Sequence, residues 1–305
     1  MYLTEDLVEQ IKENTSTEFA QGRFSQSTVI DICNQETVKR IKPIVSGLAS
    51  EFFVVTQNIT IAEDTKRIRI PKRAASRGIR ECYLLLNEVR YPLAQITREE
   101  SVQVEQDDSN IPKRFYFEAD SIVFECPTNQ EMTLVLVLEI SPGKLVLSTE
   151  VTTVSSVDFD TGVVSFAGTP TGYGVAVPYD FVQQLGYGNA VLGVGITPIS
   201  VSGTTYTFDP DELPQTLQVG DYVCLAGNTP IPNMPDEAVT ALIHAVSLRI
   251  FRLRGDFGAV AAEKDELTNA IIYVERALSD RAEGNRTTVK PMNSLLRRRF
   301  AWRYR

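Results

Sequence analysis

The pattern that most constrains the fold lies between Phe257 and Leu278. Phe257, Val260, Lys264, Leu267, Ile271, Val274 and Leu278 recur at alternating steps of three and four, and only Lys264 is polar. That spacing draws one apolar seam along one side of a helix. A seam obliges the helix to lie against something. A partner stands just before it. Pro235-Asp236-Glu237 suits a helix start, and Val239, Leu242, Ile243, Val246, Ile250 and Leu253 form the stripe that follows. Arg254-Gly255-Asp256 separates the two segments, and Asp256 can cap the second. The spacing predicts an antiparallel helical hairpin over 234–285.

The first 48 residues also read as helical. Leu7, Val8 and Ile11 mark a short helix after Thr4, and a second should start near Ser25 to Ser27. Its face is Ile30, Cys33, Thr37, Ile41 and Ile44, and Pro43 bends or closes it. Residues 49–144 read as an antiparallel β region. Phe115-Tyr116-Phe117 and Ile122-Val123-Phe124 form a hairpin, and Met132–Ile140 reads as a central strand buried on both faces. Residues 145–233 change character: Gly, Thr, Ser, Val and Pro dominate, and no Lys or Arg occurs between Leu145 and Leu248. This stretch reads as an inserted acidic β domain. The expected fold class is α+β: a helical bundle of N- and C-terminal helices, an antiparallel β domain and an inserted small β domain. A basic, aromatic segment, 286–305, ends the chain.

Charge and composition exclude several classes. The chain has 305 residues, 43% of them hydrophobic, with no apolar run near the roughly 20 residues that cross a bilayer. No membrane association is expected. Met1–Asp6 shows no basic segment leading into an apolar core, so no secretory leader is expected. Cys33, Cys82, Cys126 and Cys224 form no CxxC pair and read as reduced thiols. The single histidine, His244, falls within the hairpin's first helix and reads as a packing residue. One histidine rules out multi-histidine metal sites, and no GxSxG turn accompanies it. Gly186-Tyr187-Gly188 with Gly193 and Gly195 lacks a following GK[ST] and an amphipathic helix, so it reads as a loop. Asp209-Pro210-Asp211-Glu212 does not fit a calcium loop and reads as a solvated turn. No cofactor, metal or catalytic residue is assigned, and an enzyme is not expected. Carboxylate chemistry is the class least firmly excluded, because acids are plentiful and nothing selects one pair.

Net charge is −9, but it is segregated. Lys66, Arg67, Arg69, Lys72, Arg73, Arg77 and Arg80 form one basic run. Residues 286–305 hold seven cations and no acid. The last nine, Arg297, Arg298, Arg299, Phe300, Ala301, Trp302, Arg303, Tyr304 and Arg305, include the chain's only tryptophan. Guanidinium groups pair with carboxylates or phosphates, and aromatic rings are rigid anchors. Such a tail can dock in a protein groove, grip nucleic acid, or pack on its own chain. Protein docking is the favoured reading.

Several segments, taken in order, resemble the head-to-tail adaptor proteins of tailed bacteriophages. Ile30-Asp31-Ile32-Cys33-Asn34 resembles that family's Ile-x-x-x-Asn helix. Ile68-Arg69-Ile70-Pro71 and Gly78-Ile79-Arg80-Glu81-Cys82 resemble its strand–proline–strand passage, and Phe115–Phe117 with Ile122–Pro127 its hairpin. The order Pro232, Met234-Pro235-Asp236-Glu237, helix, Gly255-Asp256, helix is the most specific part. Residues 145–233 depart from the simple adaptors.

The resemblance implies a structural virion protein of the neck, assembled in the host cytoplasm. It forms a homo-oligomeric ring, usually dodecameric, on the portal protein and receives a tail or tail-hub protein. DNA passes through the channel without specific binding. The C-terminal segment Arg297–Arg305 would dock on the portal, and Phe257, Val260, Leu267, Ile271, Val274 and Leu278 would pack the ring. Asp158, Asp160, Asp209 and Asp211 would suit a channel wall that repels DNA. The alternatives are a tail-tube or tail-hub component, or a DNA-binding module that uses the tail and the 66–80 run.

Overall fold

The computed structural model describes residues 2–16, 24–71, 73–103, 111–184 and 191–279. Among the described residues, six α-helices stand in chain order: α1 (Thr4–Thr15), α2 (Gln26–Glu36), α3 (Lys42–Leu48), α4 (Arg98–Gln103), α5 (Asp236–Arg254) and α6 (Phe257–Leu278). Seventeen strands among these residues form four sheets. The first has the order β1 (Val54–Ile61), β8 (Met132–Ile140), β3 (Ala74–Leu86), β4 (Val89–Pro92). The second runs β2 (Arg67–Arg69), β7 (Ser121–Phe124), β6 (Arg114–Glu118), β5 (Ala94–Gln95). The third and largest runs β13 (Val191–Ile196), β12 (Tyr179–Val182), β16 (Tyr222–Leu225), β10 (Thr152–Asp158), β11 (Val163–Phe166), β15 (Thr205–Thr207), β14 (Ser200–Ser202). A parallel pair, β9 (Lys144–Leu145) with β17 (Asn228–Thr229), completes the set.

This architecture corrects the expected fold class. The protein is mostly β, not a helical bundle carrying a small β insertion. The helices do not enclose a core of their own. Leu7, Ile11, Val29 and Cys33 share one buried cluster with Leu84, Phe124, Leu134 and Leu136, so the helices form a layer over sheet residues. Nor is the 145–233 region small, since it holds the seven-stranded sheet. Its strands are only three to seven residues long, so composition signalled β without revealing how many strands pair.

Local sequence explains the elements that matter most. β8 lies inside its sheet, flanked by β1 and β3, and buries alternate and adjacent apolar residues alike. Each fully buried Leu there contributes roughly 1.5–3 kcal/mol. The large sheet has a separate core of aromatic rings, with Phe166 stacked on Tyr206 at 4.1 Å, Tyr179 edge-on to both, and Phe181 edge-on to Phe208. In α5, eleven of nineteen residues are buried, because the helix is covered by α1, α2 and α6. Gly255 ends it in a left-handed conformation, φ 76°, and the Asp256 carboxylate accepts from Ala259 N–H at 3.2 Å to start α6.

Between α2 and α3 the helix widens into a π-turn, Thr37–Ile41. Pro43 accounts for it. Proline has no N–H to donate to Lys39 C=O, and its ring crowds that carbonyl. One wide turn relieves both problems and leaves Lys39 exposed.

Candidate functional site

The large β domain is fastened to the rest of the chain at a stem and a junction. At the stem, β9 enters and β17 leaves as a parallel pair. Asn34 on α2 clamps Leu145, accepting from its N–H at 2.7 Å and donating to its carbonyl at 3.3 Å. Thr4 donates its N–H and its hydroxyl to Pro230 C=O, both at 2.9 Å, and Glu5 accepts from Ser148 N–H at 2.6 Å. The N-terminal helices therefore hold both strands that cross into the β domain.

The junction contains a buried ion pair. Arg73 Nη1 lies 2.7 Å from Asp180 Oδ2, with side chains 5% and 0% exposed. Asp180 also accepts from Gly195 N–H and Gly227 N–H, both at 2.8 Å. Arg73 donates further to Ser141 C=O at 3.1 and 3.2 Å. With the Asn233 amide oriented to suit its neighbours, Asn233 accepts from Arg73 at 3.1 Å and donates to Thr229 and Ile231. Gly143 is required here, since a Cβ would strike the Thr229 side chain and press on Arg73. Gln57 on β1 adds a bond to Val194 C=O at 2.9 Å. Beside the pair lies a cleft of about 500 Å³ lined by Arg69, Pro71, Val194 and Glu212. Burial, with Asp209 nearby, pushes the Glu212 carboxyl up to about 7.

A second concavity, about 780 Å³, opens beside the π-turn. Glu36 is buried at its floor. Arg249 Nη1 donates to Glu36 Oε1 at 3.0 Å, and Arg40 Nε lies 2.7 Å from Oε2. Lys39 and Arg252 stand on the rim, exposed, with no acid partner among the described residues. The groove is basic on a chain of net charge −9.

The residues singled out in the sequence are placed as follows. In α6, Leu267 and Val274 are buried, Val260, Ile271 and Leu278 half-buried, and Phe257 is 84% exposed. Lys264 is exposed. His244 on α5 meets Glu263 on α6 at 2.8 Å and ties the hairpin together. Asp158, Asp160, Asp209 and Asp211 come together at one end of the β domain, because Phe208 N–H donates to Gly162 C=O at 2.8 Å. Gly162, φ 69°, lies so close to Phe208 C=O that no side chain fits. The Thr161 hydroxyl, donating at 2.7 Å, holds the Asp158 carboxyl below its usual range. The basic run is not a single-sign surface. Arg67 pairs with Glu118, Arg69 with Asp120 and Arg80 with Glu139, while Arg73 is the buried junction residue. The tail, Arg297, Arg298, Arg299, Phe300, Trp302, Arg303, Tyr304 and Arg305, lies outside the described residues.

Among the described residues, no group of three or more His, Cys, Asp or Glu is arranged to hold a metal ion. No helix among them is long and apolar enough to cross a membrane. The four cysteines are free, and burial raises Cys33 and Cys82 to about 12. No family model matches the chain, and no curated protein matches it.

Sequence reasoning missed the Arg73–Asp180 pair and the Glu36 groove. A signal for the first was present. Asp180 stands in the apolar strand Tyr179-Asp180-Phe181-Val182, inside a stretch with no cation, so a partner had to come from elsewhere.

Proposed function

We propose that the chain is a structural assembly protein of the connector type, forming a ring beneath a portal and joining it to a tail. The observation that carries this reading is the state of α6. This helix gives Leu267, Ala270 and Val274 to its own subunit, while Phe257, Ile272 and Tyr273 are exposed at 84%, 39% and 60%. Large apolar side chains left exposed along a helix suit a surface that a neighbour covers. The firm attachment of the β domain supports the same reading, since a load-transmitting subunit needs its two parts held as one. The arginine- and aromatic-rich segment Arg297–Arg305 is assigned the role of an arm that docks on the portal.

Deletion of Phe300–Arg305 tests this. The expected result is a folded subunit that no longer attaches to portal-bearing heads. Normal attachment of the shortened chain would remove the docking role.

A further inference from the structure

We propose that the basic groove beside the π-turn receives the acidic end of the β domain of a second copy of this chain. The proposal rests on the ring assembly put forward above and adds the two surfaces that meet.

The groove is built to hold carboxylates. Glu36, 3% exposed, fixes Arg40 and Arg249 from below, and Arg249 Nη2 is fixed further by Gln35 at 2.7 Å. Burying a carboxylate is costly, and a cavity floor has no packing need for one. What it achieves here is two guanidinium groups held in place with N–H donors to spare. The π-turn adds Lys39, and α5 adds Arg252, both without an acid partner among the described residues. Four cations thus converge on one concavity, with Val38, 56% exposed, as an apolar contact between them. A nucleic-acid backbone fits less well, because a chain of net charge −9 repels a long polyanion over its whole surface, whereas the acidic end brings only a few carboxylates.

The matching surface is on the same chain. Asp158, Asp160, Asp209 and Asp211 sit on two turns locked side by side at Gly162. None of them pairs with a cation among the described residues, and no Lys or Arg stands between Lys144 and Arg249 to neutralise them locally. One subunit therefore carries an unmatched basic groove on its helical layer and an unmatched acidic end on its β domain. Joining them between copies is a head-to-tail contact, the kind that closes into rings. Complementary charge would set its register and speed its formation.

The test uses the full chain, its mass distribution followed by sedimentation velocity at low and high ionic strength. Three variants are compared with wild type: Lys39→Glu with Arg252→Glu, Asp158→Lys with Asp160→Lys, and all four together. All four side chains are exposed, and far-UV circular dichroism checks each fold; Asp211→Lys serves if the Asp158 change disturbs its turn. Each half-reversal is expected to weaken assembly about tenfold or more, most at low salt, and the fourfold variant to recover most of it. Unchanged assembly after the groove reversal overturns the proposal. Loss on groove reversal without loss on acid reversal overturns the acidic end as the occupant. A fourfold variant no better than its halves does the same. A wild type that assembles yet ignores charge overturns this contact alone. One that stays monomeric, with portal and without, overturns the ring as well.

Discussion

Removing Asp180 should detach the β domain. Asp180→Ala leaves the Arg73 guanidinium, 5% exposed, without its counter-charge. Breaking one side of a buried pair costs about 3–5 kcal/mol. The Gly195 and Gly227 N–H groups also lose their acceptor, at about 1–3 kcal/mol each where water cannot enter. The adjoining cleft admits some water, so the expected total is about 4–6 kcal/mol, within the 5–15 kcal/mol that holds a typical domain. Urea unfolding followed by far-UV circular dichroism measures it, with separate fits if the β domain melts first. Arg73→Met should cost nearly as much. The double change Arg73→Met with Asp180→Ala should cost clearly less than the sum of the single changes, by about 2 kcal/mol or more. A loss under about 1 kcal/mol for Asp180→Ala would refute the reasoning, as would additive singles.

Three further outcomes are expected. Glu212 has a folded-state pKa of about 7 against an ordinary value of 4.5, so its contribution is complete below pH 4.5 and lost as pH rises through 7. Because the group is half-buried, thermal unfolding between pH 5 and pH 8 should show about 1–2 kcal/mol of lost stability, and Glu212→Gln should flatten that slope. Gly162→Ala places a Cβ against Phe208 C=O at positive φ and should cost about 2 kcal/mol or more, read as a lower midpoint for the β domain; an unchanged midpoint would contradict the close approach. Phe257→Ser with Tyr273→Ser should leave monomer stability within about 0.5 kcal/mol yet reduce self-association, and unaltered association would remove α6 from the interface.

How much of this was legible in the sequence depended on how local the cause was. The α5–α6 hairpin, with Gly255 and Asp256 at its turn, follows from spacing alone. So does the β6–β7 hairpin, whose turn falls at Ala119-Asp120. Central β8 was readable because a strand apolar on both faces needs cover on both. The seam on α6 was readable as a line of residues but not as a burial pattern, since Phe257 finds no cover among the described residues. The fold class was misread because strands of three and four residues leave almost no periodicity to count. The π-turn was half visible: Pro43 signalled a bend but not a widened turn bearing Lys39 and Arg40. Arg73 and Asp180 are 107 residues apart, and no local pattern joins them. Arg73 looked like one member of a surface charge run and proved to be buried.

The most direct test of the connector reading is the mass and image of the full chain mixed with its portal. The expected result is a closed ring, twelve subunits seated on the portal, with α6 between neighbours. A chain that remains a single subunit and leaves the portal bare would contradict it.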